Sequence, residues 1–114
     1  MIITKSTPYT REEITNLSEM FDAYIKTVID INKKVCSAGC DRHFESEKIL
    51  LSQGSKQPDI WGGGIDIETK EIDCNSFINI RTTDNNPSNE ILDTKIRKKY
   101  EHLTKHFFKA IYEQ

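Results

Sequence analysis

The hydrophobic period of this chain changes at Tyr24, and that change constrains the fold more than any motif does. Before it, Ile14, Leu17 and Phe21 recur at helical spacing. Thr10-Arg11-Glu12-Glu13 opens this segment as a capping box, in which the Thr10 hydroxyl accepts the third backbone N–H and Glu13 reaches back. Tyr9 and Ile14 flank the cap as a hydrophobic staple. After Tyr24 the period falls to two: Ile25, Thr27, Ile29 and Ile31 share one face, with Lys26 and Asp30 on the other.

The remaining segments follow the same two periods. Ile2-Ile3-Thr4 reads as a short first strand. Asn32-Lys33-Lys34 turns the chain into a return strand, Val35-Cys36-Ser37-Ala38, which Gly39 ends. A second helix is expected from about Asp41, with Gly54 past its end. Ile60 to Ile67 reads as a strand interrupted by Gly62-Gly63-Gly64. Ile72 to Arg81 alternates again, with Asn75, Phe77, Asn79 and Arg81 on one face. Thr82 to Asn89 is almost wholly turn-forming, and Asp93 caps a last helix reaching about Tyr112. The core stripe of that helix is Ile96, Tyr100, Leu103, Phe107 and Ile111. The order β-α-β-β-α-β-β-α predicts one α+β domain over residues 1–114, with a mixed or antiparallel sheet and the helices on one side.

Charge and cysteine content narrow the function classes. Sixteen basic residues against 18 acidic ones leave a formal charge of −2, which argues against broad capture of nucleic acid. Lys95, Arg97, Lys98, Lys99, Lys105 and Lys109 gather on the last helix, but Asp93, Glu101 and Glu113 dilute their field. No basic leader with a long apolar run is evident, and no apolar stretch approaches the roughly 20 residues of a spanning helix. Cys36, Cys40 and Cys74 make an odd set, read as reduced thiols in a cytoplasmic protein that does not engage membranes.

Several motifs lack the partners their chemistry needs. His102 and His106 stand four apart on a helix, yet Leu103 occupies the place of a metalloprotease glutamate, so no metal site is expected. Cys36 and Cys40 are a single loose pair without two further ligands. The glycine run has neither the Gly-Lys-Ser/Thr ending of a P-loop nor a dinucleotide spacing, so close backbone approach beside Trp61 explains it better. No cofactor is implied.

One polar constellation reads as a site. His43 falls in the first turn of the second helix and Glu47 one turn later on the same face, the minimum for general acid–base work. Asn79 and Arg81 project together before a polar loop that carries Asn86 and Ser88. Arginine at a strand end offers a planar fork for a carboxylate or phosphate. Ser55, Gln57 and Trp61 complete the expected ligand-binding set.

Taken together, these segments resemble a family of small uncharacterised bacterial proteins, a domain of unknown function. The resemblance runs from about Tyr24 to the last helix. It rests on Gly39 with His43 and Glu47, on Gly54-Ser55-Lys56-Gln57, on Trp61-Gly62, and on Asn79 and Arg81 with Asn86, Ser88 and Glu90. Cys40, Arg42 and Thr82 depart from the family pattern. The resemblance implies a fold and a set of residues, and no activity.

The expectation is therefore a small polar or anionic ligand pocket, binding or hydrolytic, built around His43 and Arg81. The alternative is a non-catalytic interaction or regulatory module, in its simplest form a homodimer.

Overall fold

The computed structural model describes residues 1–21 and 23–113, and the side chains of residues 19–21 lie outside that description, so the expected core position of Phe21 does too. The elements are β1 (Ile3–Lys5), α1 (Arg11–Phe21), β2 (Tyr24–Asp30), β3 (Val35–Ala38), α2 (His43–Ser52), β4 (Ile60–Asp66), β5 (Ile72–Asp73) and α3 (Thr94–Phe107). The five strands form one antiparallel sheet in the order β1-β3-β2-β4-β5, with β2 at its centre.

Local signals set the element boundaries. Thr10 and Glu13 form the capping box in full: the Glu13 N–H donates to Thr10 Oγ1 at 3.1 Å and the Thr10 N–H to Glu13 Oε1 at 2.9 Å. Asp93 accepts from the N–H groups of Lys95 and Ile96 and starts α3. Period two in β2 places Ile25, Thr27 and Ile29 on the face that receives Tyr9, Ile14, Leu17, Tyr100, Leu103, Phe107 and Phe108 from α1, α3 and their ends.

Three expectations change. The helices do not share one side: α1 and α3 cover the face described above, while α2 packs on the other, where Val28, Leu50 and Ile60 form a second cluster. The cause is legible in β3, whose Ser37 faces α2 and shares hydroxyl hydrogen bonds with Thr4 and Ser46, while Cys36 and Ala38 face the larger core. The strand expected over Ile72 to Arg81 stops at Asp73 and gives way to a 3-10 turn at Phe77–Asn79. Finally, α3 ends at Phe107, and a 3-10 turn over Lys109–Ile111 follows it.

The glycine run is a regular part of β4, pairing with Lys26, Thr27 and Val28. What it supplies is clearance on both faces of the sheet. A Cβ on Gly63 would overlap the Asp73 carbonyl and stand 2.7 Å from the Tyr100 hydroxyl. A Cβ on Gly62 would press on Ser76 and Ile78, and one on Gly64 would collide with the Tyr24 ring. On the α2 side of the sheet the Ser76, Ile78 and Tyr24 side chains occupy the room that Gly62 and Gly64 leave.

Candidate functional site

At the start of α2 lies a cleft of about 430 Å³ lined by Lys26, Asp41, Arg42, His43, Phe44, Phe77 and Ile78. A second hollow of about 270 Å³ adjoins it, sharing Lys26, His43 and Phe77 and adding Tyr24, Asn75, Ser76 and Asn89. His43 is the one residue of the expected site that lines either hollow. Its Nε2 lies 2.7 Å from the Gly63 carbonyl oxygen. Since a carbonyl only accepts, Nε2 carries the proton and Nδ1 is left with its lone pair. The Tyr24 hydroxyl donates to Asp73 Oδ2 at 2.7 Å beside this ring.

Glu47 has different surroundings from those expected. Burial raises its pKa above the ordinary carboxylate value, opposed by the field of Arg81 and by the nearby Gln57 side chain. Oε2 is buried with no hydrogen-bond partner among the described residues. The group that orients His43 is therefore the Gly63 carbonyl.

Arg81 has its donors turned inward. Nε donates to the Ile78 carbonyl at 3.0 Å, Nη1 to the Gln57 carbonyl at 2.6 Å and Nη2 to the Ile60 carbonyl. Its guanidinium stacks 4.2 Å over Trp61, which is buried in the core and donates through Nε1 to the Pro58 carbonyl. Asp84 Oδ2 stands 3.7 Å from Nη1. The fork expected to grip an anion thus grips backbone, and through Ile78 it supports one wall of the cleft.

The remaining polar residues also serve the chain itself. Asn79 is fully buried: Oδ1 accepts from the Gly62 N–H, and Nδ2 donates to the carbonyls of Gly62, Cys74 and Asn89. This amide continues the ladder along β4 where β5 has stopped. Asn86 donates to the carbonyls of Asn79, Ser88 and Glu90 and accepts from the Leu92 N–H. Ser88 Oγ accepts from the Glu90 N–H. Ser55 donates to Asp30 Oδ2 at 2.6 Å, whose Oδ1 caps the turn at Asn32 and Lys33.

A profile described as "Protein of unknown function (DUF5674)" matches residues 1–107. The chain belongs to this family. The match takes in β1 and α1 as well as the segments from Tyr24 onward. No curated protein and no solved structure gives a significant match.

In this DUF5674 member Tyr24, Lys26, Phe44 and Phe77 are among the lining residues that the expected site did not include, and Asp73 holds the Tyr24 hydroxyl. Their signal was present but indirect: Gly62 and Gly64 strip the β4 surface opposite the even-numbered face of β2. Among the described residues no three His, Cys, Asp or Glu side chains gather to hold a metal, and no helix is long and apolar enough to cross a membrane. His102 and His106 line a groove with Lys34 and Lys99, a cationic setting that disfavours a metal ion. All three cysteines are free and buried.

Burial is the main cause that lowers the His43 pKa below its ordinary 6.5; the Gly63 contact opposes it, Lys26 adds to it and Asp73 opposes it. Folding therefore favours the neutral ring. Above the unfolded pKa both states are neutral and His43 contributes no pH dependence; below it the unfolded chain binds the extra proton and stability falls until the folded pKa is passed. We expect the melting temperature of His43→Gln to decline less steeply than that of wild type below pH 6.5. Parallel melting curves from pH 7.5 to 4.5 check this, and superimposable slopes would remove His43 from the cause.

Proposed function

We propose that this protein binds a small anionic ligand in the cleft at the start of α2, with His43 as the acid–base group of any chemistry performed there. The carrying observation is a half-buried imidazole held in one tautomer by the Gly63 carbonyl, in a cleft of about 430 Å³ that also presents Lys26 and Arg42. A neutral ring with a lowered pKa is a base near neutral pH, suited to proton transfer or to activating water for hydrolysis. Arg81 acts from behind the wall by holding Ile78. Ser55, Gln57, Asn79, Asn86 and Ser88 shape the surrounding loops. Three free, buried thiols suit a reducing compartment, which supports a cytoplasmic location.

Chemical-shift mapping against phosphate, carboxylates and sugar phosphates tests this reading. Binding is expected to move the resonances of His43, Lys26 and Phe44, and His43→Gln should abolish any turnover while leaving the fold intact. Shifts confined to other surfaces would discard the cleft as the site.

A second reading has its own observation. Phe77 is 81% exposed and Phe44 46%, two large apolar side chains with little cover that border the same cleft. An interaction module, including a homodimer through this face, fits that surface. Sedimentation showing a monomer at all concentrations would remove the homodimer.

A further inference from the structure

The charges of this chain are not spread evenly. Thr94–Phe107 holds five basic residues against one acidic, so the acidic surplus lies in the rest of the chain. From Lys95 to Phe107 every exposed residue is a lysine or a histidine. At the ordinary helical pitch, Lys95, Lys98, Lys99, His102, Lys105 and His106 share an arc about 120° wide and about 16 Å long. Lys34, from the turn between β2 and β3, joins Lys99, His102 and His106 along a groove of about 280 Å³.

The carboxylates around this face are engaged elsewhere. Asp93 accepts from the N–H groups of Lys95 and Ile96 as the helix cap. Glu101, the one carboxylate within the helix, borders the arc one turn before Lys105, yet it is half-buried and stands with Arg97 beside Cys74. Glu113 follows the helix beside Arg11, which donates to its backbone carbonyl. Behind the Lys34 turn, Asp30 accepts from Ser55 and from the N–H groups of Asn32 and Lys33. Asp59 is half-buried where its carbonyl meets the Ile31 N–H. Among the described residues none of these carboxylates is ion-paired with a lysine of the face.

The composition of the face indicates what covers it. A protein interface draws on aromatic, methionine and arginine side chains and is poor in lysine. Here Arg97 is turned toward Cys74, Leu103 is buried beside the groove, and no phenyl, phenol or indole ring is exposed between Lys95 and Phe107. Without such rings there is no platform for the stacked bases of a single strand. Without an exposed arginine, asparagine or glutamine there is nothing to read base edges. A row of lysine charges suits phosphates instead. We infer that this face of α3 docks on the sugar–phosphate backbone of a nucleic-acid duplex, independently of its sequence, with Lys34 extending the contact.

The overall charge of −2 does not oppose this at close range. The protein measures 40 × 27 × 22 Å, and at physiological salt fields are screened beyond about 8 Å. The cleft at His43 lies across the sheet with α2, so the two sites stand or fall separately.

Fluorescence anisotropy with a short labelled DNA duplex provides the test. Affinity should fall roughly 40- to 150-fold between about 50 and 200 mM salt, the counterion release of about three to four phosphates. Lys95→Gln combined with Lys99→Gln should flatten the log–log salt slope by about two. That variant should melt as wild type does, since both side chains are exposed and unpaired among the described residues. His102→Lys should tighten binding, a gain that loss of folding cannot imitate. Lys48→Gln, which removes an exposed charge from α2, should change neither affinity nor slope.

An equal loss in Lys48→Gln would mean that total charge attracts the duplex, and would overturn the inference. Tighter binding of a single strand than of the duplex would overturn it too. Displacement of the duplex by polyglutamate at equal charge would reassign the face to an acidic protein segment. No binding at low salt would overturn the inference and leave the anion site at His43 untouched.

Discussion

Asn79→Asp should be among the most destabilising isosteric changes this chain can suffer, costing about 3–5 kcal/mol at neutral pH. The side chain keeps its size, so no cavity opens and no atom is displaced. What changes is one donor group. Nδ2 of Asn79 faces three carbonyl oxygens at 2.9, 3.2 and 2.9 Å, from Gly62, Cys74 and Asn89. A carboxylate oxygen placed there would meet three acceptors in a site with no solvent access. Only a protonated carboxyl could donate, and then to a single carbonyl.

The sign of the pH dependence follows. The introduced carboxyl would have its folded pKa raised, so the deficit is smallest below the unfolded carboxylate pKa of about 3.9 and grows as pH rises. Denaturant titrations of the variant and wild type at pH 4.5 and pH 7.5 check this. A deficit that is small or does not vary with pH would mean that the amide is no substitute for the missing strand.

That substitution also shows why the sequence was easier to read in some places than in others. The capping box at Thr10 and Glu13 and the alternation of β2 are local patterns, and their partners lie within a few residues or on a repeating face. The stripe of α3 was legible for the same reason: Tyr100, Leu103 and Phe107 are buried where their spacing puts them. Ile72 to Arg81 has the same alternation as a strand, yet only Ile72 and Asp73 pair as one. A side chain at Asn79 that imitates backbone pairing leaves no mark on hydrophobic period.

The candidate site was hard to place from sequence for a related reason. Arg81, Asn79, Asn86 and Ser88 are polar and close together, which is equally the composition of a ligand site and of a loop that satisfies its own buried backbone. Sequence carries no sign of which carbonyls will be orphaned, so the two cannot be told apart there. His43 kept its place because its position in the first turn of α2 is a local property, although its partner at Gly63 is 20 residues away. Placing α2 opposite α1 and α3 needed long-range information as well, since Ser46 and Leu50 meet β3 and β2 from the far face.

Arg81→Lys should lower the melting temperature by ~10–20 °C, nearly as much as Arg81→Ala, a loss of about 3–5 kcal/mol. Lysine preserves the positive charge near Asp84 and Glu47, so a role based on charge alone would survive. It cannot preserve the geometry. The guanidinium divides three donors among the Ile78, Gln57 and Ile60 carbonyls while its plane covers Trp61. An ammonium is a compact donor without that planar fork or the stacking face. At 5% exposure of Arg81, water has poor access to the carbonyls left behind.

Because the Arg81 and Asn79 side chains hold the same turn from two sides, the double variant should lose less than the sum of the two single losses. Thermal melts of the single and double variants, with phosphate titrated against each, separate structure from binding. An Arg81→Lys protein that melts within two or three degrees (~1 kcal/mol or less) of wild type but no longer responds to phosphate would restore this arginine as an anion clamp. The expected pattern is the reverse: a large fall in stability, and in whatever fraction remains folded at low temperature, phosphate still shifting His43 and Lys26.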